Sequence, residues 1–255
     1  MKAKVNSTEL HYELSGSEGA PWLILSHSLA CTVRMWDPQV AALKDRYRVL
    51  NYDMRGHGES AAPAGPYTLD MLADDVLGLM KELGIKRASY MGLSIGGMIG
   101  QTLALKQPAL FERMVLADTG HSQPPEAIKQ WEERIRIAQT QGMKALVPST
   151  MERWFTPSFR ESPQAKKIAE LIANTPVAGY VGCGQAIMKL NTTARLKEIK
   201  LPVLAIAGEQ DPSAPGTRHI GENVPGARLV MIPQAAHISN VEQAATFNQA
   251  LRDFL

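Results

Sequence analysis

One serine of the sequence stands where a side chain can become a nucleophile. Ser94 lies in the run Gly92-Leu93-Ser94-Ile95-Gly96, after a β-rich stretch at 87–91 and before a helical stretch at 95–107. A strand that turns sharply into a helix exposes the residue at its tip, and glycines leave room for the strained backbone. The Ile95 N–H opens the helix, so it has no intrahelical partner and can face a developing oxyanion. This context predicts a nucleophile, although the bare G-x-S-x-G pattern also fits a small-residue turn.

A serine hydroxyl needs a base, and the base needs an acceptor that orients it. On a strand–turn–helix scaffold the expected chain order is serine, acid, histidine. Asp211 follows the apolar run at 203–207, and His237 lies between the last predicted strand and the last helix. We therefore predict the triad Ser94, Asp211 and His237. Two alternatives stay open: Asp211 could be a helix N-cap, and Asp118, after the next strand, could be the acid.

A second oxyanion donor is expected from the loop that follows an early strand. The apolar run at 22–26 reads as that strand, and a loop of small residues comes next. We predict the backbone N–H of Leu29 as the donor that works with the N–H of Ile95. Two fixed backbone donors at the point where charge develops stabilise a transition state strongly.

Three other histidines are predicted to be structural. His27 precedes the loop that carries Leu29 and is expected to hold that loop by hydrogen bonds. His57 lies between two glycines and fits a turn residue, and His219 falls inside a helical pattern.

Strand and helix patterns alternate along most of the chain. Short apolar runs that read as buried strands occur at 22–26, 47–52, 87–91, 114–117, 203–207 and 228–232. Alternation of this kind predicts an α/β fold with a mostly parallel central sheet flanked by helices. The first 14 residues alternate like an antiparallel hairpin at a sheet edge.

The alternation is interrupted by a stretch with helical patterns alone, at 125–142, 143–154, 162–174 and 177–190. We predict an inserted helical cap at 122–196, with the α/β core formed by 1–121 and 197–255.

Composition narrows the class of protein. The 255 residues carry a formal net charge of +2 with scattered basic residues, which gives no electrostatic basis for binding nucleic acid. The N-terminal residues lack an apolar core long enough for a signal peptide, and no apolar run is long enough to span a bilayer. Cys31 and Cys183 lie far apart and suggest free thiols in a reducing compartment. We expect a cytoplasmic protein that needs no cofactor and no metal.

Several motifs together resemble the α/β-hydrolase superfamily over the full length of the chain. They are the nucleophile run at 92–97, the glycine loop Arg55-Gly56-His57-Gly58-Glu59-Ser60, and the placement of Asp211 and His237. Within it, four segments are similar to 3-oxoadipate enol-lactonases: 27–29, 35–39, 153–156 and 236–240. The stretch 31–34 departs from that pattern because it places Arg34 beside the oxyanion loop.

The resemblance implies a serine hydrolase that opens the enol-lactone of the β-ketoadipate route of aromatic degradation. That substrate carries a carboxylate, for which an arginine fork is the best partner. Arg134 follows Trp131 by three residues on one predicted helix, and we expect this pair to hold the substrate. Arg134 could instead belong to a solvated charged face with Glu132, Glu133 and Arg136.

Trp154 is expected either to line the apolar wall of the site or to anchor the cap. The predicted partner is a small lactone or ester, and a homo-oligomer is left open. The rival functions are a general carboxylesterase, a carbon–carbon bond hydrolase and a non-catalytic ligand receptor. Dehalogenases are disfavoured because they need a carboxylate where Ser94 stands.

Overall fold

The apolar runs of the sequence form one eight-stranded sheet in the computed structural model, which describes all 255 residues. In chain order the strands are β1 (Lys2–Val5), β2 (Thr8–Ser15), β3 (Trp22–Ser26), β4 (Arg48–Tyr52), β5 (Ala88–Leu93), β6 (Phe111–Ala117), β7 (Val203–Gly208) and β8 (Arg228–Ile232). They lie side by side in the order β1-β2-β4-β3-β5-β6-β7-β8. β1 pairs with β2, and β2 with β4, in antiparallel fashion, while the other pairs are parallel. The predicted edge hairpin and mostly parallel sheet are confirmed.

Ten α-helices connect or flank the strands. They are α1 (Asp37–Leu43), α2 (Leu69–Glu82), α3 (Ile95–Lys106), α4 (Pro125–Gln141), α5 (Val147–Trp154), α6 (Pro163–Asn174), α7 (Val177–Ile187), α8 (Ala214–Asn223), α9 (Ser239–Glu242) and α10 (Ala244–Arg252). Capping explains several starts: Thr68 Oγ1 accepts the Met71 N–H at the start of α2, and Ser162 Oγ accepts the Ala165 N–H at the start of α6. None of the helices combines the length and apolar character of a transmembrane span.

The centre of the sheet carries the serine. β5 lies between β3 and β6, and all six of its residues are buried. A strand covered on both faces is expected to be apolar throughout, as this one is apart from Ser89 and its glycine. The carboxyl ends of β3, β5, β6 and β7 meet at one edge of the sheet, which is where ligands bind in open α/β sheets.

Between β6 and β7 the structure contains helices alone, α4 to α7, besides short 3₁₀ turns. The two ends of this segment are joined, because Ser122 and Asn191 form an antiparallel bridge and the Thr192 N–H donates to the His121 carbonyl at 2.8 Å. Thr192 Oγ1 also donates to Gln101 Oε1 on α3 at 2.6 Å. The segment therefore leaves and rejoins the sheet at one place, beside the helix that begins at the serine.

Three predicted elements differ from the structure. β6 begins at Phe111 rather than Met114, because Glu112 and Arg113 are exposed at its entrance and interrupt the apolar run. The stretch 143–154 divides into a 3₁₀ turn and α5.

The predicted final helix is broken at Gln243, which has φ −126° and ψ 52°. At that break the Glu242 side chain turns inward and accepts the Ala236 N–H, while Gln243 Nε2 donates to the Gln234 carbonyl.

Candidate active site

Ser94 occupies the sharp turn between β5 and α3. Its φ of 58° and ψ of −116° form a strained combination for a residue with a side chain. Its backbone is held on both sides: the Ser94 N–H donates to the Ala117 carbonyl at 2.8 Å, and Thr119 Oγ1 donates to the Ser94 carbonyl at 2.8 Å. The turn presents the hydroxyl to a cavity.

Two glycines make this turn possible by their lack of a side chain. A Cβ on Gly92 would lie 2.1 Å from the Gly96 carbonyl oxygen. A Cβ on Gly96 would lie 2.2 Å from the Ser26 carbonyl oxygen on β3. Both distances are far below van der Waals contact, so only glycine allows the helix to start this close to the sheet.

Asp211 and His237 form a hydrogen-bonded pair at the same edge of the sheet. His237 Nδ1 donates to Asp211 Oδ1 at 2.9 Å. Asp211 also accepts the Ser213 N–H at 2.9 Å and the Ser213 hydroxyl. Burial raises the pKa of Asp211, but the charge of His237 and the hydrogen bonds from His237 and Ser213 outweigh burial and lower that pKa below its usual value. Asp211 is therefore an ionised acceptor suited to orient an imidazole.

Ser94 Oγ has no hydrogen-bond partner in the protein, although Ser94 and His237 line the same cavity. Catalytic hydrogen bonds of this kind are often formed only with substrate in place. Proton transfer would require the Ser94 hydroxyl to turn toward His237 Nε2.

Asp118 is buried beside Asp211 but has different hydrogen-bond partners. Its Oδ1 accepts the Gly208 N–H at 2.9 Å, and its Oδ2 accepts the Ser239 hydroxyl at 2.5 Å. It makes no hydrogen bond to His237. Burial, and then the charge of Asp211, raise the pKa of Asp118 well above its usual value. The geometry favours Asp211 over Asp118 as the acid.

The loop after β3 is held by two buried histidine rings that lie 5.3 Å apart. His27 Nε2 accepts the Met54 N–H at 2.9 Å, and His57 Nε2 accepts the Ala30 N–H at 3.0 Å. Because backbone N–H groups can only donate, both rings carry their proton on Nδ1 and are neutral. Burial lowers the pKa of His27, and burial with the neighbouring His27 lowers that of His57 to about 3. His57 therefore fixes the loop rather than acting as a base.

Two backbone N–H groups remain free beside the serine. Leu29 N–H and Ile95 N–H donate to no acceptor in the protein, whereas the neighbouring Ala30 N–H is taken by His57. Unpaired buried donors are uncommon, and a pair next to a nucleophile fits an oxyanion site.

A cavity of about 450 Å³ lies above the serine. Its wall on the helical segment carries Arg134 of α4 and Arg153 of α5, and neither guanidinium has a carboxylate partner. Arg134 lies over the Trp131 ring at 4.9 Å from its centroid. Burial lowers the pKa of Arg134, and burial with the Arg134 charge lowers that of Arg153 to about 10. Both arginines are still cations at neutral pH, so this wall can receive an anion.

Arg134 does not lie on the solvated charged face of α4, which was the alternative left open by the sequence. Arg136 pairs with Glu133 on the exposed face of α4, while Arg134 bonds only Gln130, at 3.3 Å, and lines the cavity. Trp131 lines the cavity as well. Trp154 also does so, with its ring 5.8 Å from the His237 ring, and its carbonyl accepts the Ile238 N–H at 3.2 Å. Trp154 thus lines the cavity and also contacts the loop of His237.

Comparison with known proteins places these features in a family. Residues 21–244 match the family described by the alpha/beta hydrolase fold. The chain belongs to the α/β-hydrolase family. It is 37% identical over 246 residues to 3-oxoadipate enol-lactonase 2 of Acinetobacter baylyi, covering 95% of this chain and 91% of that protein. It is 32% identical to the putative carbamate hydrolase RutD of Stutzerimonas stutzeri, with 96% of each chain covered.

Solved structures of α/β hydrolases agree with this assignment. The enol-lactonase from Burkholderia xenovorans LB400 has a TM-score of 0.95 and 41% identity, and the match covers 100% of this chain and 99% of that one. A thermophilic esterase from Thermogutta terrifontis, solved with malate bound, has a TM-score of 0.92 and 27% identity, covering 99% and 96%.

The departure noted at 31–34 does not reach the cavity of this α/β hydrolase. Arg34 is half exposed and pairs with Glu13 and Asp37 at the surface. None of residues 31–34, the one segment that differed from the enol-lactonase pattern, lines the cavity.

Two residues near the pair of Asp211 and His237 were missed in the sequence. Ser213 donates to Asp211, and its position two residues after the acid is a spacing at which such local bonds form, so it could have been found. Glu242 contacts the loop of His237 only because the chain folds back, and no sequence pattern marks it.

Proposed function

We propose that this α/β hydrolase opens a small lactone or ester by way of an acyl-enzyme on Ser94, with 3-oxoadipate enol-lactone as the favoured substrate. The observation that carries the proposal is one cavity whose lining combines two chemically different groups of residues. From the sheet edge come Ser94, the hydrogen-bonded Asp211 and His237, and two free N–H groups beside the serine. From the helical segment come two arginines without carboxylate partners.

In the proposed reaction Ser94 Oγ attacks the lactone carbonyl while His237 Nε2 takes its proton. Asp211 holds the imidazole in the required orientation and stabilises its charged form. The N–H groups of Leu29 and Ile95 donate to the oxyanion of the tetrahedral intermediate. Collapse breaks the ring C–O bond, and His237 returns the proton to the leaving enol oxygen, which relaxes to a ketone.

The acyl group stays on Ser94 after ring opening. A water molecule then gives its proton to His237 and attacks the acyl carbon, and the second collapse frees the Ser94 hydroxyl and a carboxylate. No cofactor or metal enters this sequence of steps.

Arg134, with Trp131 beneath it, is proposed to hold the distal carboxylate of the substrate, and Arg153 adds a second positive charge. A guanidinium that already lies in a partly buried site and lacks a partner gains a charge-assisted bond when a carboxylate enters. The names of the relatives support an anionic lactone, and malate, a dicarboxylate, is bound in the structure of the Thermogutta terrifontis esterase.

We further propose that residues 122–196 act as a cap that encloses the substrate. The cap supplies Trp131, Arg134, Arg153 and Trp154, so it sets the choice of substrate while the core supplies the chemistry. A cytoplasmic location and a homo-oligomer remain predictions from the sequence.

Hydrolysis of a carbamate is the second candidate. Relatives named putative carbamate hydrolase cover nearly the whole chain at 32% and 30% identity. A carbamate has an acyl carbon that the same triad could attack, and the difference would lie in the groups bound by the cap.

The deciding measurement is kcat/KM for 3-oxoadipate enol-lactone beside p-nitrophenyl acetate and p-nitrophenyl butyrate. We expect a value of order 10⁵ M⁻¹s⁻¹ or more for the lactone, far above the esters. Ser94→Ala should remain folded and lose several orders of magnitude in kcat.

Equal or better rates on the neutral esters would leave a general carboxylesterase and remove the role of Arg134. Near-normal turnover by the Ser94→Ala variant would end the triad assignment. Saturable binding of the lactone without product release would indicate a receptor.

A further inference from the structure

Glu242 is a buried carboxylate without a cationic partner. Its residue is 6% exposed, and no lysine, arginine or histidine forms an ion pair with it. A buried charge is costly unless hydrogen bonds satisfy it. Three donors do so here: the Thr156 N–H at 2.9 Å and the Thr156 hydroxyl at Oε1, and the Ala236 N–H at 2.8 Å at Oε2.

These donors come from two segments that are far apart in the chain. Thr156 follows α5 in the cap, and Ala236 precedes His237 in the core. A second link lies on the other side of the histidine, where the Ile238 N–H donates to the Trp154 carbonyl at 3.2 Å. The backbone N–H groups that flank His237 are thus both tied to the cap segment 154–156, one directly and one through Glu242.

The end of β7 also contacts the loop that carries His237. A Cβ on Gly208 would lie 2.2 Å from the Ala236 carbonyl oxygen and 2.4 Å from that of Ala235, so the strand end and the loop are in close contact. The loop is therefore held between β7 and the cap segment 154–156. Its position sets the bond between His237 and Asp211 and the reach of Nε2 toward Ser94.

We propose that Glu242 is a positioning residue that joins the cap segment 154–156 to the loop of His237 and so holds the imidazole in register with Ser94. This role rests on the proposed use of His237 as the base. Glu242 touches neither substrate nor reacting atoms, so its loss should lower kcat more than it raises KM. It should also weaken the step in which His237 protonates the leaving group.

The test compares Glu242→Gln with Glu222→Gln, which makes the same change of charge on the exposed face of α8. A glutamine has one acceptor oxygen, so its amide N–H₂ must face either the Ala236 N–H or the Thr156 donors.

Active sites are counted by labelling with a fluorophosphonate, and kcat is expressed per labelled site. Rates are measured on p-nitrophenyl acetate, whose leaving group departs without a proton, and on ethyl acetate, whose leaving group needs one.

We expect Glu242→Gln to lower kcat per site about 10- to 100-fold, less than the roughly 100- to 10,000-fold contribution of general acid–base catalysis because His237 itself is retained, and to change KM by less than about threefold. The loss should be several-fold larger on ethyl acetate. The proposal would be overturned if Glu242→Gln had the same kcat per site as Glu222→Gln and the same ratio of kcat on p-nitrophenyl acetate to kcat on ethyl acetate. A lowered melting temperature of Glu242→Gln would not change that conclusion.

Thr156→Val serves if Glu242→Gln fails to fold. It removes only the hydroxyl donor and keeps the N–H bond and the side-chain volume. We expect the ratio of kcat on p-nitrophenyl acetate to kcat on ethyl acetate to rise about threefold, because only one of the three hydrogen bonds is lost. An unchanged ratio would overturn the proposal. Wild-type protein that does not react with the fluorophosphonate would instead overturn the triad, and with it this role.

Discussion

At the scale of single residues, the two arginines of the cavity are the basis for proposing an anionic substrate. Arg134 and Arg153 lie in a partly apolar wall, and each lowers its free energy by meeting an anion. Arg136, two residues further along α4, already has Glu133 as its partner. The chain thus contains a matched pair of α4 arginines, one available to a ligand and one not.

We expect Arg134→Ala to lower kcat/KM on 3-oxoadipate enol-lactone about 10- to 100-fold, since hydrogen bonds to charged groups contribute about 1.5–3 kcal/mol. On p-nitrophenyl acetate the change should stay under about threefold. Steady-state kinetics of both substrates give the comparison, with Arg136→Ala as the control that should affect neither. Equal losses on both substrates would remove Arg134 as the carboxylate partner.

At the scale of elements, the oxyanion loop depends on a pair of neutral histidines. His27 of this loop accepts the Met54 N–H of the loop after β4, and His57 of the loop after β4 accepts the Ala30 N–H, so the two loops are joined through both imidazole rings. This bracing leaves the Leu29 N–H free while its neighbour is occupied. A charged ring could not accept these N–H bonds, because both of its nitrogens would donate.

Because His57 is neutral in the folded protein, the unfolding free energy should depend on pH. The pKa of His57 is about 3 in the folded protein against 6.5 for an ordinary histidine, so unfolding takes up a proton as the pH falls below 6.5. We expect wild type to lose about 2 kcal/mol more unfolding free energy than His57→Gln between pH 7 and pH 5. Glutamine keeps an acceptor for Ala30 without titrating.

Urea unfolding of both proteins at the two pH values measures the difference. The same pH dependence in His57→Gln and wild type would show that His57 can be protonated in the folded state, contrary to its buried setting.

At the scale of the whole molecule, Asp118 joins parts that are distant in the sequence. It directly follows β6, accepts an N–H from the end of β7, and accepts a hydroxyl from α9. It also lies against Asp211, whose own partner is His237. Burial and the charge of Asp211 raise the pKa of Asp118, whereas the pKa of Asp211 is lowered because the charge and hydrogen bond of His237 outweigh its burial, so the two pKa values move apart.

Asp118 is expected to change the unfolding free energy with pH in the direction opposite to His57. A raised pKa in the folded state means that unfolding releases a proton above the ordinary carboxyl value, so unfolding free energy falls as pH rises, by at most about 1.4 kcal/mol per unit. Asp118→Asn imitates the protonated acid and removes this slope. We therefore expect the unfolding free energy of Asp118→Asn, relative to wild type, to increase from pH 4 to pH 7.

Chemical unfolding across that range tests the prediction, with the exposed Asp45→Asn as the control for a lost surface charge. A difference that stays constant with pH would mean that Asp118 is ionised in the folded protein.

The sequence by itself determined much of the fold, and it predicted the residues that the structure brings to the cavity. Local features were sufficient for the strands, because buried parallel strands read as short apolar runs, and for Ser94, because glycines on both sides of a serine between strand and helix fit one kind of turn. Chain order then selected Asp211 and His237. The edge hairpin and the all-helical stretch between β6 and β7 followed from periodicity alone.

Only the tertiary structure decided what depends on contacts between distant segments. It showed that Arg134 faces the cavity and Arg136 the solvent, because the direction of a side chain on a helix depends on what the helix packs against. It placed Arg34 at the surface, Asp118 against Asp211, and Glu242 between the cap and the loop of His237. Asp118 lies 93 residues before Asp211, and Glu242 lies 86 residues after Thr156. No local pattern of residue types specifies which buried carboxyl group meets which distant segment.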